Sequence, residues 1–281
     1  MSTFSSRDGT VLHEVVWNPA GDKPRGAVVL QHGYGEHIGR YDHVGKALAA
    51  RGFVTRGGDL RGHGQSAGAR GHCNRFSEYL DDLAALIARA PERPLFLVAH
   101  SFGALVSTEY LIERGSDGIS GIVLSSPYYG LKLKVSPIKV ALAKLTSNLV
   151  PKLSMPNGLK GEDATRDAEL AKTYDSDPLN SKVATARWFT EQLLAQADVA
   201  ARASEVKLPV LMLQGGADRL ADPEVSQQVF ARLGSADKTL QVLEGQFHEV
   251  FNEPGEVKTK NLDAVCDWLE SHAQAEKVAH G

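Results

Sequence analysis

Cysteine is almost absent from this sequence. Cys73 and Cys266 are the only two, they stand far apart, and neither has metal-ligand spacing. Nothing therefore points to a disulfide framework or a metal site, and a reduced, intracellular protein is expected. Long apolar runs are missing too. No stretch reaches 18 apolar residues, so no transmembrane helix is expected. The opening MSTFSSRDGTVLHEVVW lacks the basic start and apolar core of a secretory signal. A large excess of one charge is likewise absent: the formal net charge of -3 gives no general attraction to nucleic acid. There is no internal repeat and no low-complexity tract. The 281 residues, 42% hydrophobic and 23% charged, have the composition of an ordinary soluble globular protein. That length suits one large α/β domain, or one carrying an insertion.

What the sequence does contain is alternation. Short apolar runs alternate with longer helical patterns, which predicts a mostly parallel sheet with crossover helices. VLHEVVW (11–17) reads as an early, exposed strand and GAVVLQ (26–31) as a buried one. FVTRGG (53–58), LFLVA (95–99), GIVLSS (121–126), LPVLMLQ (208–214) and TLQVL (239–243) are the further strand candidates. Helical spacing covers 41–51, 76–90, 102–114, 223–233 and 257–272, with stops at Gly52, Pro91 and Gly115. The closing HAQAEKVAHG reads as a fraying tail. From Pro127 to about Ala203 the alternation fails and no buried strand is visible. The expected organisation is a core in two parts, 1–126 and 204–281, with an insertion, 127–203, over one end of the sheet.

Two serines compete for the role of nucleophile. Gly64-Gln65-Ser66-Ala67-Gly68 matches G-x-S-x-G letter for letter, whereas Ala99 replaces the first glycine around Ser101. The motif has chemical meaning only on a sharp turn between a strand and a helix. Ser66 has glycine-rich loops on both sides. Ser101 follows LFLVA and precedes a 13-residue helical pattern, so Ser101 is the candidate and Ser66 a loop residue. A hydroxyl is a weak nucleophile and needs a histidine base held in one tautomer by a carboxylate. With the chain order Ser, acid, His, only His248, His272 and His280 can supply the base, and His248 alone lies in a loop directly after a strand. Asp218 leaves LPVLMLQ through the turn GGADRL and is the candidate acid. Its rival Asp222 precedes Pro223 and reads as a helix N-cap. An acyl intermediate also needs two backbone N–H donors aimed at its developing charge. Phe102, just after the nucleophile, and Tyr34, in the glycine-flanked loop HGYGEH, are the candidates. His32, His100, Asp59, Arg61 and His63 are expected to brace loops rather than do chemistry.

HGYGEHIGRY, DLRGHGQSAG, AHSFGA, YDSDPL, LQGGADRLAD and EGQFHEVFNEP occur in this order and spacing. Together they resemble the monoacylglycerol lipase and lysophospholipase group of the α/β-hydrolases. The resemblance runs from about Phe4 to Leu269 and is weakest between Leu131 and Arg166. It implies an α/β-hydrolase fold with an eight-stranded sheet, a helical cap, and an acyl-enzyme mechanism without metal or cofactor. Carried across by motif, its triad falls on Ser101, Asp218 and His248, and its oxyanion donors on Tyr34 and Phe102. Two departures stand out: Ala99 where many members have glycine, and no cysteine in the insertion, so thiol-based regulation is not carried over.

The implied reaction is hydrolysis of a lipid ester, with monoacylglycerol as the expected substrate. A lysophospholipase or general carboxylesterase would use the same triad. A peptidase, or a catalytically silent binding protein on the same fold, ranks behind these. The insertion adds one feature of its own. Between Gly118 and Gly161 stand six lysines (Lys132, Lys134, Lys139, Lys144, Lys152 and Lys160) and no acidic residue. Ser136-Pro137 is expected to open a helix there, with Ile138, Leu142, Leu145 and Leu149 on one stripe. Such a basic amphipathic segment suits peripheral contact with an anionic lipid surface, or a stripe that covers the pocket. A cytoplasmic protein, peripherally associated with membrane, is the resulting expectation.

Overall fold

The computed structural model describes residues 2–132, 143 and 145–280, the last four by backbone alone. Its main sheet has eight strands: β1 (Ser2–Ser5), β2 (Val11–Trp17), β3 (Gly26–Gln31), β4 (Phe53–Gly58), β5 (Leu95–His100), β6 (Gly121–Ser125), β9 (Val210–Gly215) and β10 (Lys238–Leu243). They lie in the order β1-β2-β4-β3-β5-β6-β9-β10. The β1–β2 and β2–β4 pairs are antiparallel and every other pair is parallel.

Side chains alternate between the two faces of a strand, and here both faces are apolar because both are covered. From β3 and β5, Ala27, Val29, Leu95, Leu97 and Ala99 join one core cluster, while Val28, Leu30, Phe96 and Val98 join the other. The first packs against α2 (Ser77–Ile87) and α3 (Phe102–Arg114) through Leu80, Leu83, Leu105 and Ile112. The second packs against α1 (Asp42–Ala50) and the last helix, α8 (Glu256–His280), through Val44, Leu48, Val265 and Leu269.

Three points differ from the sequence reading. Strand β2 is mostly buried rather than exposed, because β1 extends the sheet beyond it. Strand β1 itself is missed, since STFS offers one apolar residue, Phe4, in four. Helix α8 continues through His280, so the supposed fraying tail is helical and His272 is not at a helix end. Ser66 does sit in a loop, but it is buried there.

The segment between β6 and β9 contributes no described strand to the main sheet. It forms a small antiparallel pair, β7 (Ser154–Pro156) with β8 (Val183–Thr185). It also forms the helices α4 (Gly161–Ala164), α5 (Ala168–Ser176) and α6 (Ala186–Arg202). Lys134, Lys139, Lys144, and the expected helix start at Ser136-Pro137 with Ile138 and Leu142, lie outside the described residues. Lys132 and Lys152 are exposed. So are the two described members of the apolar stripe, Leu145 (57%) and Leu149 (73%). Helix α7 (Pro223–Arg232) begins as expected: Pro223 is its first residue, and Asp222 caps it by accepting from the Glu224 N–H at 3.1 Å.

Candidate active site

Strands β5, β9 and β10 end on the same edge of the sheet, and each delivers one functional side chain there. Ser101 follows β5 at φ 53°, ψ -117°, between the strand and the first turn of α3. That is a strained conformation for a non-glycine residue, and it marks a sharp strand-to-helix bend. The bend requires close approach: a Cβ on Gly103 would stand 2.4 Å from the His32 carbonyl oxygen. Asp218 leaves β9 in a turn where its Oδ1 accepts from the N–H groups of Leu220 (2.8 Å) and Ala221 (3.0 Å). His248 comes from the loop after β10. Its Nδ1–H donates to Asp218 Oδ2 at 2.7 Å, and Ser101 Oγ–H donates to its Nε2 at 2.8 Å. All three side chains are buried.

The sequence carries family information as well as geometry. The serine aminopeptidase (S33) family model matches residues 22–255. A monoacylglycerol lipase of Mycolicibacterium smegmatis is 35% identical over 96% of this chain and 96% of its own. The phospholipase YtpA of Bacillus subtilis is 35% identical over 85% of this chain and 93% of its own. Among solved structures, a monoacylglycerol lipase of Paleococcus ferrophilus superposes with a TM-score of 0.85 at 34% identity, covering 93% of this chain and 99% of that one. The chain belongs to the S33 family of α/β-hydrolases. The fold and the family expected from the six motifs are thus the observed ones.

In this α/β-hydrolase the glycine-rich loop after β3 passes close to Ser101: a Cβ on Gly33 would lie 3.1 Å from the Ser101 Cβ. The next residue is Tyr34, and Phe102 opens α3 on the other side of Ser101. The Gly33 N–H is taken by Glu36 Oε1 at 2.6 Å, which pins the loop. Glu36 Oε1 also accepts from Tyr41 Oη–H at 2.7 Å. Its other oxygen meets Arg40, whose guanidinium forks onto Glu249 at 2.7 and 2.8 Å. Burial opposes the ionised Glu36 carboxylate, but Arg40, His100, His32 and the Tyr41 hydrogen bond together outweigh burial and hold its pKa below the ordinary range. This Glu36–Arg40–Glu249 cluster had no role in the sequence reading. Glu36 and Arg40 stand in the quoted motif HGYGEHIGRY, but a pairing across 209 residues leaves no local signal.

The bracing residues behave as expected. His32 accepts from the Leu60 N–H at its Nε2 (2.9 Å) and donates from Nδ1 to the Gly33 carbonyl (2.7 Å). Asp59 accepts from the N–H groups of Ile38 and Gln65, each at 2.7 Å. Arg61 pairs with Asp82 and Asp8. His100 contacts the Ser125 hydroxyl at 3.0 Å, and its pKa is pushed down to about 4, chiefly by burial and then by His248 beside it. Ser66 Oγ–H donates to the Asp59 carbonyl (2.7 Å) and Oγ accepts from the His13 N–H (2.9 Å). Ser66→Ala should therefore leave kcat within a few-fold while destabilising the fold by about 1–3 kcal/mol, because two buried backbone groups lose their partner. Thermal unfolding and an ester assay on the same variant check both halves.

Electrostatics set the pH range of the base. Burial disfavours an imidazolium at His248, but the charge and hydrogen bond of Asp218 together with Glu249 and Glu36 outweigh burial, and the pKa is raised above that of an ordinary histidine. A general base must be neutral to accept a proton, so kcat/KM for ester hydrolysis should rise with pH along a limb centred above the ordinary histidine value. Glu249→Gln removes one supporting charge and should shift that limb to lower pH. A wild-type limb at or below the free-histidine value would contradict this account of the site.

Ser101 and His248 open into a cavity of about 340 Å³. Its walls are mainly apolar, with Leu131, Met155, Leu159, Trp188, Phe189 and Leu220 among them. Glu36, Glu249, Asn157, Thr185 and Arg219 also border it. The segment between β6 and β9 supplies much of this wall.

Proposed function

We propose that this protein hydrolyses the carboxylic ester of a monoacylglycerol, releasing a fatty acid and glycerol through an acyl-enzyme. The observation that carries the reading is the Ser101–His248–Asp218 relay, at 2.8 and 2.7 Å, opening into an apolar cavity. In this mechanism His248 Nε2 removes the hydroxyl proton as Ser101 Oγ attacks the ester carbonyl, and the Asp218 carboxylate stabilises the imidazolium. The N–H groups of Tyr34 and Phe102 receive the negative charge that develops on the carbonyl oxygen. On collapse, His248 returns its proton to the departing glycerol oxygen. It then takes a proton from water, which attacks the acyl carbonyl, and gives that proton to Ser101 Oγ as the fatty acid departs. Every proton is carried by His248 and the acyl group by Ser101, so the cycle is complete with these residues.

The cavity suits an acyl chain along its apolar walls with the glycerol near Ser101. Residues 127–203 are assigned as the cap. A lysophospholipase is the second reading, supported by the similarity to the Bacillus subtilis protein named a phospholipase. A peptidase is disfavoured. An aminopeptidase needs a free carboxylate for the substrate's ammonium group, and here Arg40 occupies both acids that border the cavity. Fatty-acid release from monooleoylglycerol, from monooleoyl lysophosphatidylcholine and amine release from a prolyl amide separate the three. The proposal expects the first to be fastest and the third silent; the reverse order overturns it.

Peripheral contact with anionic lipid belongs to the same proposal. The exposed Lys132 and Lys152 accompany Leu145, Leu149, Val150 and Leu153, each left at least 46% exposed. No helix among the described residues is long and apolar enough to cross a membrane. Binding to anionic vesicles should be measurable and should weaken with added salt, each lysine near the surface contributing about 1 kcal/mol. Equal binding to neutral vesicles at every salt concentration would contradict it.

A further inference from the structure

Both residues assigned as oxyanion donors have aromatic side chains, and both rings touch the same residue of the cap. The Tyr34 ring stacks on Trp188 with centroids 3.7 Å apart, at 27°. The Phe102 ring meets Trp188 at 5.4 Å and Tyr34 edge-on at 5.8 Å. Tyr34 also donates its hydroxyl proton to the Val183 carbonyl at 2.7 Å, and Val183 begins β8. Trp188 lies in the first turn of α6, where its N–H is capped by Thr185 Oγ1. Strand β8 and the start of α6 therefore hold the Tyr34 ring from two sides. Three residues along the same loop, His37 contacts Asp177 of the cap at 2.9 Å.

We propose that Tyr34 is a positioning residue: its side chain is the link through which the cap sets the oxyanion hole. The inference rests on the assignment of the Tyr34 N–H as an oxyanion donor. The peptide that carries this N–H is joined directly to the Tyr34 Cα, and a side chain held at its ring and its hydroxyl fixes where that Cα sits, so a shift of the clamp carries the donor away from the reacting carbonyl. Donors act only within a few tenths of an ångström of the correct position. With Trp188 and Val183 in place, the loop presents its donor; when they move away, the ring loses both its stacking partner and its acceptor. Hydrolysis is thereby tied to a seated cap, although no cap residue touches the reacting atoms. Turnover of an ester too short to fill the acyl cavity should still depend on Trp188.

The test compares wild type, Tyr34→Ala, Trp188→Leu and the double variant. The substrate is p-nitrophenyl acetate. The second readout is affinity for a small boronic acid, whose tetrahedral adduct on Ser101 places negative charge in the oxyanion hole. Wild-type turnover and boronate binding test the serine-hydrolase reading itself and are scored first. If they are present, Tyr34→Ala should lower kcat at least tenfold, toward the ~10²–10³ lost with one donor. KM should change little and boronate affinity should fall by the same factor as kcat. Trp188→Leu should lower kcat in the wild-type background and have little further effect in Tyr34→Ala, because it acts through that ring. Where Tyr34→Ala does not fold, Tyr34→Phe takes its place, with a several-fold loss expected in both readouts. Unchanged kcat and boronate affinity in the Tyr34 variant, or independent multiplying losses in the double variant, overturn the inference while leaving the triad reading intact.

Discussion

Ser101→Ala should lower kcat on monooleoylglycerol by about 10⁶-fold, the scale on which loss of a triad serine acts in comparable hydrolases. The size follows from the mechanism. Without Oγ there is no acyl-enzyme, and His248 has no positioned hydroxyl to activate. What survives is substrate binding and charge stabilisation by the backbone donors, worth about 10³–10⁴ over water. Binding should be largely kept, since the apolar walls that hold the acyl chain are untouched. Fold stability should also change little: alanine is no better suited than serine to φ 53°, and one side-chain hydrogen bond is lost. A variant that folds, binds substrate and turns over at wild-type rate would mean that another residue is the nucleophile.

Asp218→Asn should cost about 10⁴-fold in kcat through the wrong histidine tautomer. The replacement keeps the geometry, because an amide oxygen can still accept from the N–H groups of Leu220 and Ala221. The amide NH₂ would then face His248 Nδ1 and donate to it. That puts the ring proton on Nε2, where it points at Ser101 and blocks proton removal. Asp222→Asn is the control, since the Asp222 carboxylate caps α7 and meets the exposed Lys132 at 3.9 Å, and asparagine caps as well. Activity lost with Asp222 and kept with Asp218→Asn would reverse the assignment.

The sequence exposed this site because its three parts sit on strong local punctuation. Ser101 stands between an unbroken apolar run and a 13-residue helix, and that context outweighed the better-matched letters around Ser66. Asp218 and His248 each follow a buried or half-buried strand whose end is marked by glycine. Long-range charge pairing was not legible. Arg40 is drawn to Glu249 only because the loop after β10 returns over the loop after β3. Trp188 was likewise invisible as a neighbour of Tyr34, since 154 residues separate them and nothing in either segment marks the stacking. Strand β1 and the length of α8 were missed for the opposite reason: both are polar, edge or surface elements whose pattern carries little periodic signal.

If His248 activates the hydroxyl at the bend after β5, a fluorophosphonate probe should find it, because the reagent phosphonylates only an activated serine. Peptide mass spectrometry should then show one adduct, on the peptide containing Ser101, formed at least a hundred-fold more slowly in His248→Ala. An adduct on Ser66, or labelling of Ser101 that proceeds unchanged without His248, would contradict it.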